Sequence, residues 1–197
     1  CNCVLLTGYQ RLTDTAVVIA EGRVVSLLPQ AELPADLPQQ DMQGYILCPG
    51  FIDLQLNGCG GVMFNDTPDA ATLAHMQRTN LRSGTTSFLP TLISDSDETI
   101  KQALTATRHF MQQHPHQVLG MHLEGPYTNP KRRGIHPREQ LRKPTDEIID
   151  YLCQQVPWLK KVTLAPELNK PEHIRQLADA GVTVSIGHSA ATYEQAM

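Results

Sequence analysis

Glu124 and His188 are the two residues whose types and placement could do chemistry together. Glu124 closes the run Val118-Leu-Gly-Met-His-Leu-Glu124, and His188 follows the run Val182-Thr-Val-Ser-Ile-Gly187. Both runs are short and rich in Val, Ile and Leu, and both read as buried strands. Strands of a parallel α/β fold present their chemistry at their C-terminal ends, so the two residues are expected to share a site. A carboxylate and an imidazole from separate strands suit zinc or a similar divalent ion that activates water. Two ligands do not complete such a site, and spacing identifies no third.

Other residues near these runs each admit two readings. Strand alternation places His122 on the same face as Glu124, either as a hydrogen-bonded core histidine or as a group that orients the ligands. His136 lies in the long loop after Pro126, where barrel loops carry substrate contacts, although composition alone fits an exposed histidine equally well. Lys131-Arg132-Arg133 would suit a phosphate, or simply form a solvated loop face. Gln55 and Asn57 share a face before Gly58-Cys-Gly-Gly61, where they could bind ligand, water or core partners. That glycine-rich stretch matches neither a P-loop nor a dinucleotide fingerprint. Cys59 has no histidine at a recognisable spacing, which argues against a nucleophilic role.

The elements that must position these residues follow from the hydrophobic pattern. Strands are expected over 46–56, 85–92, 118–124, 162–166 and 182–187. Ile100, Ala103, Leu104 and Thr107 fall at helical spacing behind Ser94-Asp95-Ser96, and Ile148, Ile149 and Leu152 do so behind Thr145. Pro171 fits a first helical position, with Ile174, Leu177 and Ala178 as the apolar face and Gly181 as the stop. Thr192 and Gln195 form a capping-box pattern that opens another helix. Strand–helix alternation implies a parallel sheet, doubly wound or closed into a barrel. The first 47 residues differ. Val17–Ala20 and Arg23–Leu28 flank a Glu21-Gly22 hairpin turn, and Pro29, Pro34 and Pro38 then exclude a regular helix. Residues 1–47 read as a small β-rich lobe and 48–197 as the α/β portion.

Composition narrows the class of function. A net charge of −4 over 197 residues, without a large basic block, argues against nucleic acid as the main partner. No apolar run reaches the ~20 residues of a membrane span, and the N-terminus lacks a signal-peptide pattern. The five cysteines are odd in number and show no C-x-x-C spacing, which favours a reducing, cytoplasmic setting over a disulfide scaffold. The start at Cys1, and a helix signal immediately before Met197, lead us to expect part of a longer polypeptide.

Five segments occur in order: Pro49-Gly-Phe-Ile-Asp-Leu-Gln-Leu-Asn-Gly58, Leu89-Pro-Thr-Leu-Ile93, His122-Leu-Glu-Gly-Pro126, Val162-Thr-Leu-Ala-Pro-Glu167 and Gly187-His-Ser189. Together they resemble the sugar-phosphate deacetylases of the amidohydrolase superfamily, from about Val17 to the last residue. The resemblance implies a (β/α)8 TIM barrel, of which about five strands are countable here, with a small β-sandwich lobe. It implies metal ligation by Glu124 and His188, carbonyl polarisation by His136, and substrate contact by His136 and Ile135. The first strand reads Gln55-Leu56-Asn57 where many relatives carry a His-x-His metal pair, which points to a single-metal centre. The implied reaction is metal-dependent hydrolysis of the N-acetyl amide of N-acetylglucosamine 6-phosphate, with zinc the first expectation and iron, cobalt or manganese as alternatives. The implied partners are that small amino-sugar phosphate and further copies of the chain, as a dimer or tetramer. The family's general-base aspartate, second metal-binding histidine and most phosphate contacts have no counterpart among these residues, so residues 1–197 alone are expected to be inactive. Competing readings are an amidohydrolase of another amide or amino-purine, a non-catalytic binding fragment, and a doubly wound nucleotide-binding protein.

Overall fold

The computed structural model describes residues 1–197 and divides into two compact units, Cys1–Gly50 and Phe51–Met197. In the first, β1 (Val4–Leu6) pairs antiparallel with β2 (Arg11–Leu12), and β3 (Thr15–Ala20) with β4 (Arg23–Pro29). Glu21 and Gly22 both take positive φ, at 52° and 73°, the geometry of a two-residue turn whose twist matches its strands. The proline-bearing stretch contains only a single 3-10 turn at Gln30–Glu32 before β5 (Ile46–Leu47), which runs parallel to β1.

The single strand expected over 46–56 is two. β5 joins the first unit's sheet, and β6 (Phe51–Leu56) belongs to the second. Between them Pro49 has no N–H to give a ladder, so the apolar run is cut at Cys48-Pro49-Gly50.

The second unit is a run of strands alternating with helices. After β6 come a short hairpin, β7 (Gly58–Cys59) with β8 (Val62–Met63), then α1 (Ala70–Leu81) and β9 (Thr85–Ile93). There follow α2 (Asp97–Gln113), β10 (Met121–Glu124), α3 (Asp146–Cys153), β11 (Leu159–Leu164), α4 (Pro171–Asp179), β12 (Thr183–Ile186) and a last turn, α5 (Tyr193–Ala196). The five main strands form one sheet in the order β12-β11-β10-β9-β6, every neighbouring pair parallel. One helix crosses between each successive pair, the arrangement of a partial (β/α) barrel. All five strand ends therefore open onto one edge.

Helix starts follow local chemistry. Ser96 accepts from Thr99 N, Thr145 from Ile148 N, and Thr192 forms the capping box with Gln195. The core lies between sheet and helices, with Phe88, Leu92, Met121, Leu123, Ile149 and Val162 fully buried. On β10, Leu123 points into that core and His122 and Glu124 to the opposite face. Pro90 sits inside β9 where the pairing with β6 shifts register, and Gln55 N turns instead to Asp53 Oδ1 at 2.9 Å. Leu123→Ala should therefore lower unfolding free energy by about 2–5 kcal/mol through the cavity it leaves. A shift of the urea midpoint at unchanged slope checks this.

Candidate metal centre

Glu124, the last residue of β10, occupies the strand-end rim with its side chain nearly buried. Its Oε1 lies 3.0 Å from His188 Nε2 and 3.9 Å from His136 Nε2, and its Oε2 accepts from Gln55 Nε2 at 3.1 Å. One ligand-type atom from each of Glu124, His136 and His188 lies within 4.8 Å of the others. The rings of His136 and His188 stand 4.3 Å apart, tilted by 59°. His136 next to Glu124 is the main cause that holds the Glu124 carboxyl down to about 2; burial opposes this, and His188 reinforces it. Residues far apart in sequence thus meet because parallel strands end together.

The backbone brings each histidine in by a different route. His188 follows β12 in the left-handed region, φ 50°, a conformation that costs a non-glycine residue about 1 kcal/mol. Its carbonyl accepts from Asn129 N at 2.9 Å, which ties it to the loop after β10. His136 is buried under that same loop, and Arg133 Nη1 donates to its carbonyl at 3.0 Å. Gly125, with φ 79°, lets the chain turn directly after Glu124. A Cβ there would stand 2.3 Å from Ser94 Oγ and 3.3 Å from His136 Nδ1.

Hydrogen bonds on the far ring nitrogens give the two histidines opposite tautomers. His188 Nδ1 faces the carbonyl of Arg132 at 3.0 Å, so it carries a proton and Nε2 offers a lone pair toward Glu124. His136 Nδ1 accepts from Ser94 N at 3.3 Å and pairs with Ser94 Oγ at 2.7 Å, so the neutral ring carries its proton on Nε2. A lone pair and a carboxylate oxygen at 3.0 Å repel each other unless a cation lies between them: either a proton on Nε2, the bond through which His188 helps hold Glu124 down, or a metal ion. The N–H of His136 instead offers a hydrogen bond to something within the site.

Among the other residues read from sequence, His122 is fully buried between Thr91 Oγ1 at 3.2 Å and Thr163 Oγ1 at 2.7 Å. Burial, aided by Lys161, pushes it down to about 4, so it is neutral and belongs to the polar underside of the site. Ile135 is 82% exposed beside His136. Lys131, Arg132 and Arg133 are exposed; they serve the site through the Arg132 carbonyl and the Arg133 bond to His136 rather than through a charge cluster. Cys59 donates to Met76 O, and burial with Asp53 nearby pushes its thiol up, which leaves no activated nucleophile there. The Asn57 carbonyl accepts from Phe64 N at 2.9 Å, a bond within the segment after β6 and away from the Glu124 carboxylate's partners.

Four participants go beyond those readings: Ser94, Asn129, Asn169 and Glu167. Ser94 and Glu167 sit just beyond the ends of β9 and β11, so the strand-end rule that finds Glu124 also covers them. Asn169 Nδ2 donates to the carbonyls of Tyr127 and Ala165 at 2.8 and 2.7 Å, fixing the first turn of the loop after β10. Burial would raise the Glu167 carboxyl, but donation from Asn129, Ala190 and Ser189 holds it near about 2.

The profile of the amidohydrolase family matches residues 46–197, and that of the NagA composite domain matches residues 1–47. The N-acetylglucosamine-6-phosphate deacetylase of Haemophilus influenzae is 47% identical over 99% of this chain and 51% of its own length. The N-acetylgalactosamine-6-phosphate deacetylase of a Shewanella species is 37% identical over 96% of this chain and 49% of its own length. The crystal structure of the Pasteurella multocida N-acetylglucosamine-6-phosphate deacetylase superposes with a TM-score of 0.93 at 42% identity, covering 99% of this chain and 52% of that one. The chain thus spans about half the length of these relatives.

The two depressed carboxyls fix the sign of a pH effect. Glu124 and Glu167 have folded values near about 2 against an ordinary 4.5, so the folded state favours their ionised forms. Their contribution to stability is complete above pH 4.5 and is lost as pH falls from there toward about 2. Urea midpoints measured with a chelator present should fall through that window, and Glu167→Gln should flatten the fall.

Proposed function

The chain belongs to the amidohydrolase family, and from that premise we propose that it carries the metal-binding and carbonyl-polarising residues of a hydrolase that removes the acetyl group from N-acetylglucosamine 6-phosphate. The observation that carries the reading is the opposed tautomers of the two histidines beside Glu124. Glu124 and His188 turn a carboxylate oxygen and an imidazole lone pair toward each other, a donor pair that fits a divalent ion. His136 turns an N–H to the same place.

Zinc is the ion proposed, because one carboxylate and one imidazole suit it, although iron, cobalt and manganese accept the same donors. A bound ion would supply Lewis acidity that makes water a nucleophile near neutral pH. The protein's own work is positioning. Gln55 donates to Glu124 Oε2, which leaves Oε1 directed at His188. The Arg132 carbonyl fixes the His188 tautomer, a hydrogen bond that also raises the basicity of Nε2. Ser94 fixes the His136 tautomer, so Nε2–H can donate to the amide oxygen as negative charge grows on it. Ile135, apolar and exposed next to His136, is placed for contact with the substrate. The leaving amine must also gain a proton. Glu124 and His188 are committed to each other and His136 to the oxygen, so that role falls to a residue outside this cluster.

The named relatives act on amino-sugar phosphates, which supports that substrate class here. Self-association as a dimer or tetramer, and a cytoplasmic setting consistent with five free cysteines, complete the proposal. No helix is long and apolar enough to cross a membrane.

Protein made from its complete reading frame should release acetate from N-acetylglucosamine 6-phosphate with added zinc, and a chelator should stop it. Running N-acetylgalactosamine 6-phosphate alongside identifies the preferred epimer. Folded, metal-loaded protein that releases acetate from neither substrate would overturn the reading. His136→Gln should lower kcat by about 10²- to 10³-fold with metal content unchanged, whereas Glu124→Gln should lose metal and turnover together. Elemental analysis beside steady-state kinetics separates the two effects.

A further inference from the structure

Glu167 does not belong to the Glu124–His136–His188 group, yet its carboxylate joins the two loops that carry the histidines. Its Oε1 accepts from Asn129 Nδ2 at 2.9 Å and from Ala190 N at 2.7 Å, and its Oε2 accepts from Ser189 Oγ at 2.7 Å. Asn129 belongs to the loop after β10, upstream of His136; Ser189 and Ala190 directly follow His188. One anion just past the end of β11 thus receives donors from both flanking strand-end loops.

Asn129 is fully engaged as well. Its N–H donates to the His188 carbonyl at 2.9 Å, and its Nδ2 to Glu167. Its Oδ1 accepts from Lys131 N at 2.9 Å, and its carbonyl accepts from Arg132 N at 2.8 Å. Those last bonds shape the 3-10 turn Pro130–Arg132, which presents the Arg132 carbonyl to His188 Nδ1. A continuous path therefore runs from the Glu167 carboxylate through Asn129 and Arg132 to the ring of His188. A second path runs from Glu167 through Ser189 and Ala190 to the backbone of His188, which sits in the left-handed region with no regular element around it.

We propose that Glu167 is a positioning residue for the metal centre, clasping the loops after β10 and β12 so that His188 keeps both its backbone conformation and the tautomer it turns toward Glu124. The proposal rests on the metal-site reading. Glu167 touches neither ion nor substrate in this role, because its oxygens are occupied by loop donors. A carboxylate suits the position because it only accepts, and every group facing it is a donor. Glutamine in its place would replace the charge-assisted bonds from Asn129 and Ala190 with weaker neutral ones, and its N–H₂ would force the Ser189 hydroxyl to accept where it now donates.

The test uses Glu167→Gln in protein from the complete reading frame, with Ser189→Ala, which removes one of the three bonds, as a milder variant. Hydrogen exchange with a chelator present should quicken in both loops, 126–137 and 187–192, while the core strands keep their protection. Zinc affinity, read by competition with a chromogenic chelator, should fall about ten- to a hundredfold for Glu167→Gln, and less for Ser189→Ala. The visible spectrum of the cobalt-loaded variant should change as well, a readout that simple loss of stability does not move. Exchange that quickens in one loop only, or in neither, overturns the clasp, and so does unchanged zinc affinity beside two loosened loops. Glu124→Gln is the separate control: if it leaves zinc affinity intact the metal-site reading falls, and coupled exchange of the two loops alone then decides whether Glu167 clasps them.

Discussion

The 3.0 Å approach of Glu124 Oε1 to His188 Nε2 is the contact around which the second unit is organised. It exists because β10 and β12 are parallel members of one sheet, with β11 between them, and end at the same rim. A carboxylate this shielded from water is unfavourable unless its oxygens have partners. Gln55 serves one oxygen, and the two histidines surround the other. The partners come from the end of β6, the loop after β10 and the loop after β12, so a shift in the register of one strand would leave the carboxylate short of a partner. Parallel topology is in that sense a condition of the site.

Beneath the rim the sheet supplies a second polar layer. His122 bridges Thr91 and Thr163 on the two strands that flank β10, one pleat below Glu124. Being neutral, it adds no charge beside a carboxylate whose ionised form the site favours. Leu123 and Met121 on the other face close the hydrophobic layer against the helices. A four-residue strand therefore carries both the packing and the chemistry, and the period of two keeps them on separate faces.

How far these features are legible in the sequence depends on the kind of interaction involved. The strand runs and three of the helices are visible because their apolar residues repeat with a period of two or near 3.6. Helix α1 is not, because half of its buried face is polar: Thr72 and Gln77 beside Leu73 and Met76. The run from Ile46 to Leu56 reads as continuous because its apolar residues hardly pause, yet Pro49 separates two sheets. At the rim, the strand-end rule brings Glu124 and His188 together, since it concerns where strands stop. It does not reach the carbonyl of Arg132 or the N–H of Asn129, because backbone groups leave no trace in residue type. Asn129 looks like any loop asparagine until all four of its polar groups are traced.

Two histidines at one carboxylate would be redundant if their rings were equivalent, and it is the backbone that makes them different. The N–H of Ser94 can only donate, so it selects the Nδ1 lone pair of His136 and sends that ring's proton inward. The carbonyl of Arg132 can only accept, so it selects Nδ1–H of His188 and sends a lone pair inward. Neither main-chain group can reverse its role, so the assignment does not depend on a rotatable side chain. A site that must grip a cation with one imidazole and offer a proton to an oxygen with the other needs such a fixed asymmetry. Here it comes from the way two loops meet the ends of a parallel sheet.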